Sequence, residues 1–165
     1  MYITYDEYSK LYDPMEEKVF NRLCYDACRV MDIHTTGIDG IKKLKKFFPT
    51  EEDAVTAVKH CAAKLTNILH QIQEAEIAAV LARGLEETDQ GLRGKVVSSV
   101  SAGNESISYA SGGNSSATAI DAAIKDKTAR DKLIADTVWE YLRGIQDANG
   151  VNLLYMGKYP KSKLV

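Results

Sequence analysis

Only three prolines and three cysteines occur in 165 residues, and no apolar run approaches the roughly 18 residues that a membrane span needs. The opening Met1-Tyr2-Ile3-Thr4-Tyr5-Asp6-Glu7 has neither the basic start nor the apolar stretch of a signal peptide. The expectation is a protein made and used in a cytoplasm, with no membrane partner. An odd number of cysteines without secretion argues against a disulfide framework. Neither sign of charge dominates: 21 basic and 23 acidic side chains give a formal net charge of −2. That balance offers no general reason to expect a nucleic-acid or membrane-surface partner.

The sequence patterns of catalysis are missing too. Gly37-x-x-Gly40 lacks the Lys-Ser/Thr and the preceding strand of a phosphate-binding loop. There is no His-Glu-x-x-His, and the serines gather in a low-complexity stretch without a Gly-x-Ser-x-Gly elbow. Cys28 and His34 lie six positions apart at a helix end with no third group to orient them, so a thiol–imidazole pair is disfavoured. Cys24 and Cys28 share a helix face, but a closed metal site needs about four ligands, and His34, His60 and His70 show no matching spacing. The thiols read as small buried hydrophobes, reduced. The carboxylate clusters Glu16-Glu17 and Glu51-Glu52-Asp53 sit where helix starts favour negative charge. The expectation is a protein that is not an enzyme, with no catalytic residues, metal ligands or cofactor.

What is present is helical. The chain suffices for one domain with a real core. Thr4 and Glu7 have capping-box spacing, predicting a short helix over about Tyr5 to Leu11. Asp13 as cap and Pro14 at the first helical position introduce a second helix, about Met15 to Ile33. Its stripe is Val19, Phe20, Leu23, Ala27, Val30 and Met31. A short helix over Ile38 to Phe47 carries the basic run Lys42 to Lys46, read as a solvated face around Ile41, Leu44 and Phe48 rather than a phosphate site. Thr50 then caps the longest helix, which runs to about Ala82 along Val55, Val58, Ala62, Leu65, Leu69, Ile72, Ala79 and Val80. At 1.5 Å per residue it spans ~45 Å, enough to be the bundle's backbone. After the midpoint, helical signals resume near Ala117. Thr128 with Asp131 caps a last helix through Leu133, Ile134, Val138, Tyr141 and Leu142, ending at Gly144. Trp139, beside that stripe, reads as core.

Two segments do not fit a bundle. From Gly91 to Ser116 the chain is rich in Ser, Gly and Asn, with alternating stretches on either side of Gly103-Asn104. This predicts a β-hairpin or extended arm whose Val97, Val100, Ile107 and Tyr109 are too few to form a core. An isolated hairpin is marginal in water, and strands from neighbouring subunits would stabilise it. From Ile145 onward, Asn149-Gly150 and Gly157 bracket an apolar knot including Leu153, Leu154, Tyr155 and Met156. It reads as an extended C-terminal tail docking onto something. The expected architecture is therefore mainly α: one helical bundle domain from 1–90 and 117–144 with one long central helix, a hairpin arm at 91–116 inserted before the last helices, and a tail at 145–165. Val97, Val100, Ile107, Tyr109, Leu153, Leu154, Tyr155 and Met156 are the expected interface residues.

Four stretches resemble the head–tail connector (adaptor) family of tailed phages and prophages. They are Tyr2-Ile3-Thr4-Tyr5-Asp6-Glu7-Tyr8; the helix Phe20-x-x-Leu23-x-x-x-Ala27-x-x-x-Met31-Asp32 with His34-Thr35-Thr36; the serine-rich segment Val96 to Ser111; and Leu153-Leu154-Tyr155-Met156-Gly157. Each is short, and the specificity lies in their order; neither the residues past Tyr159 nor Lys42 to Lys46 belong to the pattern. The resemblance implies a helical subunit in a homo-oligomeric ring, commonly twelve-fold, in the neck of the virion. It would join the portal protein to a downstream tail-completion or stopper protein and extend the channel through which DNA passes without sequence-specific binding. The alternative is a small helical interaction or regulatory module with no phage role.

Overall fold

The computed structural model describes residues 1–78 and 119–163, together with the backbone of 79–82, 85–88, 91–94, 100–102 and 105–107. The chain is mainly α. Six α-helices occur among the described residues: α1 (Tyr5–Tyr8), α2 (Glu17–His34), α3 (Lys43–Lys46), α4 (Glu52–Ala82), α5 (Ala119–Lys125) and α6 (Lys127–Leu142). A 3₁₀ turn follows at Lys161–Lys163. Between α4 and α5, Leu85–Thr88 pairs antiparallel with Gly91–Gly94, and Val100–Ala102 with Glu105–Ile107. In the second ladder Val100 lies opposite Ile107. Val97, Tyr109 and most of the arm expected at 91–116 lie outside the described residues.

The chain starts as its local chemistry dictates. Thr4 Oγ1 accepts from Glu7 N while Glu7 Oε2 accepts from Thr4 N at 2.9 Å, a reciprocal capping box closing α1. Two expected caps move. Glu16, not Asp13, stands at the N-cap of α2 and makes no side-chain cap. Asp126, not Thr128, caps α6, its Oδ1 accepting from Thr128 N at 2.9 Å; the backbone breaks there for one residue after α5.

α4 packs against α2, α5 and α6, as a central helix must. It buries Val58, Cys61, Ala62, Leu65, Ile68 and Ile72, a face wider than a single stripe, and its small Ala54, Cys61, Ala62 and Ala63 let neighbouring backbones come close. Tyr8, Phe20, Met31, Leu44, Val138 and Leu142 complete the main core. A smaller cluster joins Ile68 and Ile72 to Ala123 under α5. The three cysteines are buried free thiols.

The C-terminal segment corrects the expected extended tail. Leu153 is 0% exposed inside the main core, with Val151 and Tyr159 also buried, so the segment belongs to the domain. A buried aspartate organises the turn: Asp147 Oδ1 accepts from the backbone N–H of Asn149 and Val151, both at 2.9 Å, and Oδ2 from Tyr159 Oη at 2.8 Å. Burial, then that donation to a carboxylate, pushes the Tyr159 phenol up to about 12.

The turn after α6 repeats the turn after α2. Thr36 bridges to Lys42 as Gln146 bridges to Asn152, and Gly37 N donates to Ile41 O as Asp147 N does to Val151 O. Gly40 and Gly150 occupy equivalent places with φ of 75° and 74°, a conformation that penalises a Cβ. Every position in the first turn matches one 110 residues later. The two turns also clasp each other's flanks. Ile38 N donates to Met156 O at 2.9 Å, Tyr159 N to Asp39 Oδ2 at 2.6 Å, and the Phe47 and Tyr159 rings stack at 4.8 Å.

Candidate functional site

The basic run resolves into two kinds of lysine. Lys42, Lys45 and Lys46 are exposed, as a solvated face requires. Lys43 is 1% exposed, and its Nζ donates to the Tyr155 carbonyl at 2.7 Å, 112 positions away. Desolvation lowers its pKa, opposed by the nearby Asp39 and Asp147 carboxylates. Lys43 is thus a brace for the C-terminal segment.

An open groove of about 840 Å3 lies between the opening segment, the outer face of α2 and the stretch around α3. Asp32 sits in its wall, buried, and accepts the Tyr2 hydroxyl; Lys45 Nζ lies 3.4 Å from its other oxygen. Burial, followed by that bond to a carboxylate, raises the Tyr2 phenol far above its ordinary range. The Tyr2 ring stacks on Phe48 with centroids 5.7 Å apart, forming an aromatic floor. Cys28 also lines the groove, its sulfur accepting from Tyr2 N at 3.3 Å and lying 4.0 Å from Cys24 Sγ. Their mutual hydrogen bond raises Cys24 and lowers Cys28. Along the α2 rim, Tyr25, Arg29 and Ile33 stand at successive four-residue steps, Tyr25 and Ile33 being 64% and 61% exposed. Lys59 reaches the groove from α4, its Nζ 2.6 Å from Glu7 Oε1. That bond, foremost, holds the Glu7 carboxyl down to about 2.

A second, shallower depression of about 560 Å3 lies between the C-terminal ends of α2 and α6. His34, Val138, Trp139, Leu154 and Met156 line it. Trp139 corrects the expected core assignment: it is 55% exposed, with the Arg143 guanidinium over its ring at 4.6 Å. Leu154 is half-buried against the core, whereas Tyr155 and Met156 are exposed. Leu153, one of the expected interface residues, is unavailable because the core encloses it. The side chains of Val100 and Ile107 lie outside the described residues, as do Val97 and Tyr109.

Among the described residues no three His, Cys, Asp or Glu side chains gather to hold a metal, and no helix is long and apolar enough to cross a membrane. Both concavities can bind by contact and charge. The residues that sequence reasoning missed are Tyr25, Arg29 and Ile33. Their signal was available: two large apolar residues on the polar face of an amphipathic helix, a cation midway between them. No family model, no curated protein and no solved structure matches the chain.

Proposed function

We propose that the chain is a head–tail connector subunit of a tailed phage or prophage, acting by assembly and not by catalysis. Copies form a ring in the neck of the virion, between the portal and a tail-completion or stopper protein, and continue the DNA channel. The protein is made in the bacterial cytoplasm, and DNA passes through its channel without sequence-specific binding. The single observation that carries the reading is how three of the four family-like stretches cohere. Tyr8 and Phe20 pack ring to ring at 5.2 Å, the Tyr2 hydroxyl meets Asp32 on α2, and Leu153 shares their core. Stretches far apart in the chain therefore build one unit, so the residues that carry the resemblance act together in one fold.

In this reading the partner surfaces are the hairpin arm, with Val97, Val100, Ile107 and Tyr109, and the C-terminal residues Leu154, half-buried, and Tyr155 and Met156, exposed. The Trp139 face adjoins the latter. The test is electron microscopy of lysates from the encoding phage or prophage after deletion of this gene. DNA-filled heads separate from tails, restored to joined particles by the purified chain, are expected. Normal yields of joined particles without the chain would overturn the reading and favour an interaction module with no phage role.

A further inference from the structure

The groove beside α2 carries a charge pattern that its own residues do not satisfy. Four cations face it, Arg29, Lys42, Lys45 and Lys59, against one buried carboxylate, Asp32. Lys45 is engaged by Asp32 and Lys59 by Glu7. Arg29 and Lys42 have no carboxylate partner among the described residues. They lie beside an apolar lining of Tyr25, Ile33 and Phe48, which a purely ionic ligand would leave uncovered. The α2 rim from Tyr25 to Ile33 spans eight residue steps, ~12 Å of helix axis, the reach of about four residues of extended chain. Apolar, cationic and apolar groups alternate along it.

We propose that this groove binds an extended acidic segment of a partner protein, seating apolar side chains between Tyr25, Ile33 and Phe48 and pairing its carboxylates with Arg29 and Lys42. Alternation of side chains along a strand suits that rim, since every second residue faces the same way. Nucleic acid fits less well. A duplex backbone offers nothing apolar for the aromatic floor of Tyr2 and Phe48. The groove is independent of the connector reading, because an interaction module with this face would take the same ligand.

The test uses the full chain and a fluorescein-labelled heptapeptide, Leu-Ser-Glu-Ser-Leu-Ser-Glu, whose same-facing alternate residues are apolar, acidic, apolar and acidic; binding is read by anisotropy at low salt. Parallel arms replace the glutamates by glutamine or by lysine, or replace the peptide by a random 20-base-pair duplex. The acidic peptide should bind, weakening with salt, and the other three should not compete. Arg29→Glu and Lys42→Glu should each weaken it at least about tenfold with the melting temperature unchanged, whereas Arg29→Lys should retain binding. A second readout needs no variant: saturating peptide should slow acetylation of Lys42, located by mass spectrometry, because that exposed amine lines the groove. Binding of the glutamine peptide as tight as the acidic one, preference for the duplex, unchanged affinity in both reversals, or no protection of Lys42 would overturn the proposal.

Discussion

A buried ammonium is tolerated only where its charge is met, and Lys43 meets that condition through a backbone carbonyl and two carboxylates nearby. Lys43→Ala removes the donor and strands the Tyr155 carbonyl, and should cost about 2 kcal/mol. Hydrogen exchange should then rise selectively at 153–157. Uniform acceleration across α2 and α4 would instead mean that the lysine supports the whole core. Glu7 gives a pH signature. Its folded pKa of about 2 lies below the ordinary 4.5 of a glutamate, so its contribution is complete above about 4.5 and disappears as pH falls toward 2. More than a third of both partners is exposed, so solvent screening limits the worth of the pair to about 1 kcal/mol or less. Glu7→Gln should flatten the acid limb of a denaturation profile between pH 4.5 and 2 and leave the neutral-to-basic limb parallel to wild type. The burial of Lys43 was not legible in the sequence. A lysine run looks solvated by local pattern, and the partner that changes this lies 112 positions away.

At the scale of elements, periodicity sufficed wherever one helix face decided the outcome. α2 and α4 fall close to the expected bounds because their apolar spacing and acidic first turns agree. Caps were legible only where two side chains reciprocate, as Thr4 and Glu7 do. Around α6, Asp126 and Thr128 are both good cap residues, and local chemistry does not choose between them. The outcome depends on where α5 must stop. Asp126→Ala should therefore destabilise by about 1 kcal/mol in thermal melts, with Thr128→Ala near neutral. The paired turns make a second prediction. At Gly37 an added Cβ would lie 2.6 Å from the Gly157 carbonyl oxygen, and backbone cannot swing aside as a side-chain tip can. Gly37→Ala should loosen the clasp, shown by lost amide protection at Ile38 and Tyr159. Retained protection at both amides would contradict the clasp.

For the molecule as a whole, the division into bundle and free tail failed for a tertiary reason. The knot Val151 to Met156 is apolar enough to dock, and what it docks onto is its own core, aligned by Asp147 and the bond from Lys43. Such long-range polar contacts leave no trace in periodicity. Leu153→Ala should cost about 2–5 kcal/mol of global stability. The exposed pair Tyr155→Ala with Met156→Ala should shift the melting temperature little while reducing incorporation into particles. Equal destabilisation by both sets would remove any separate role for the exposed residues. The likeness to phage connectors concerns this whole-molecule level, where copies and partners count more than any pocket. Cryo-electron microscopy of the neck of particles from the encoding phage or prophage tests it most directly. The account predicts a closed ring of this chain between the portal and the next tail component, with density for its α4 recurring around the axis. A neck complete without this chain would contradict it.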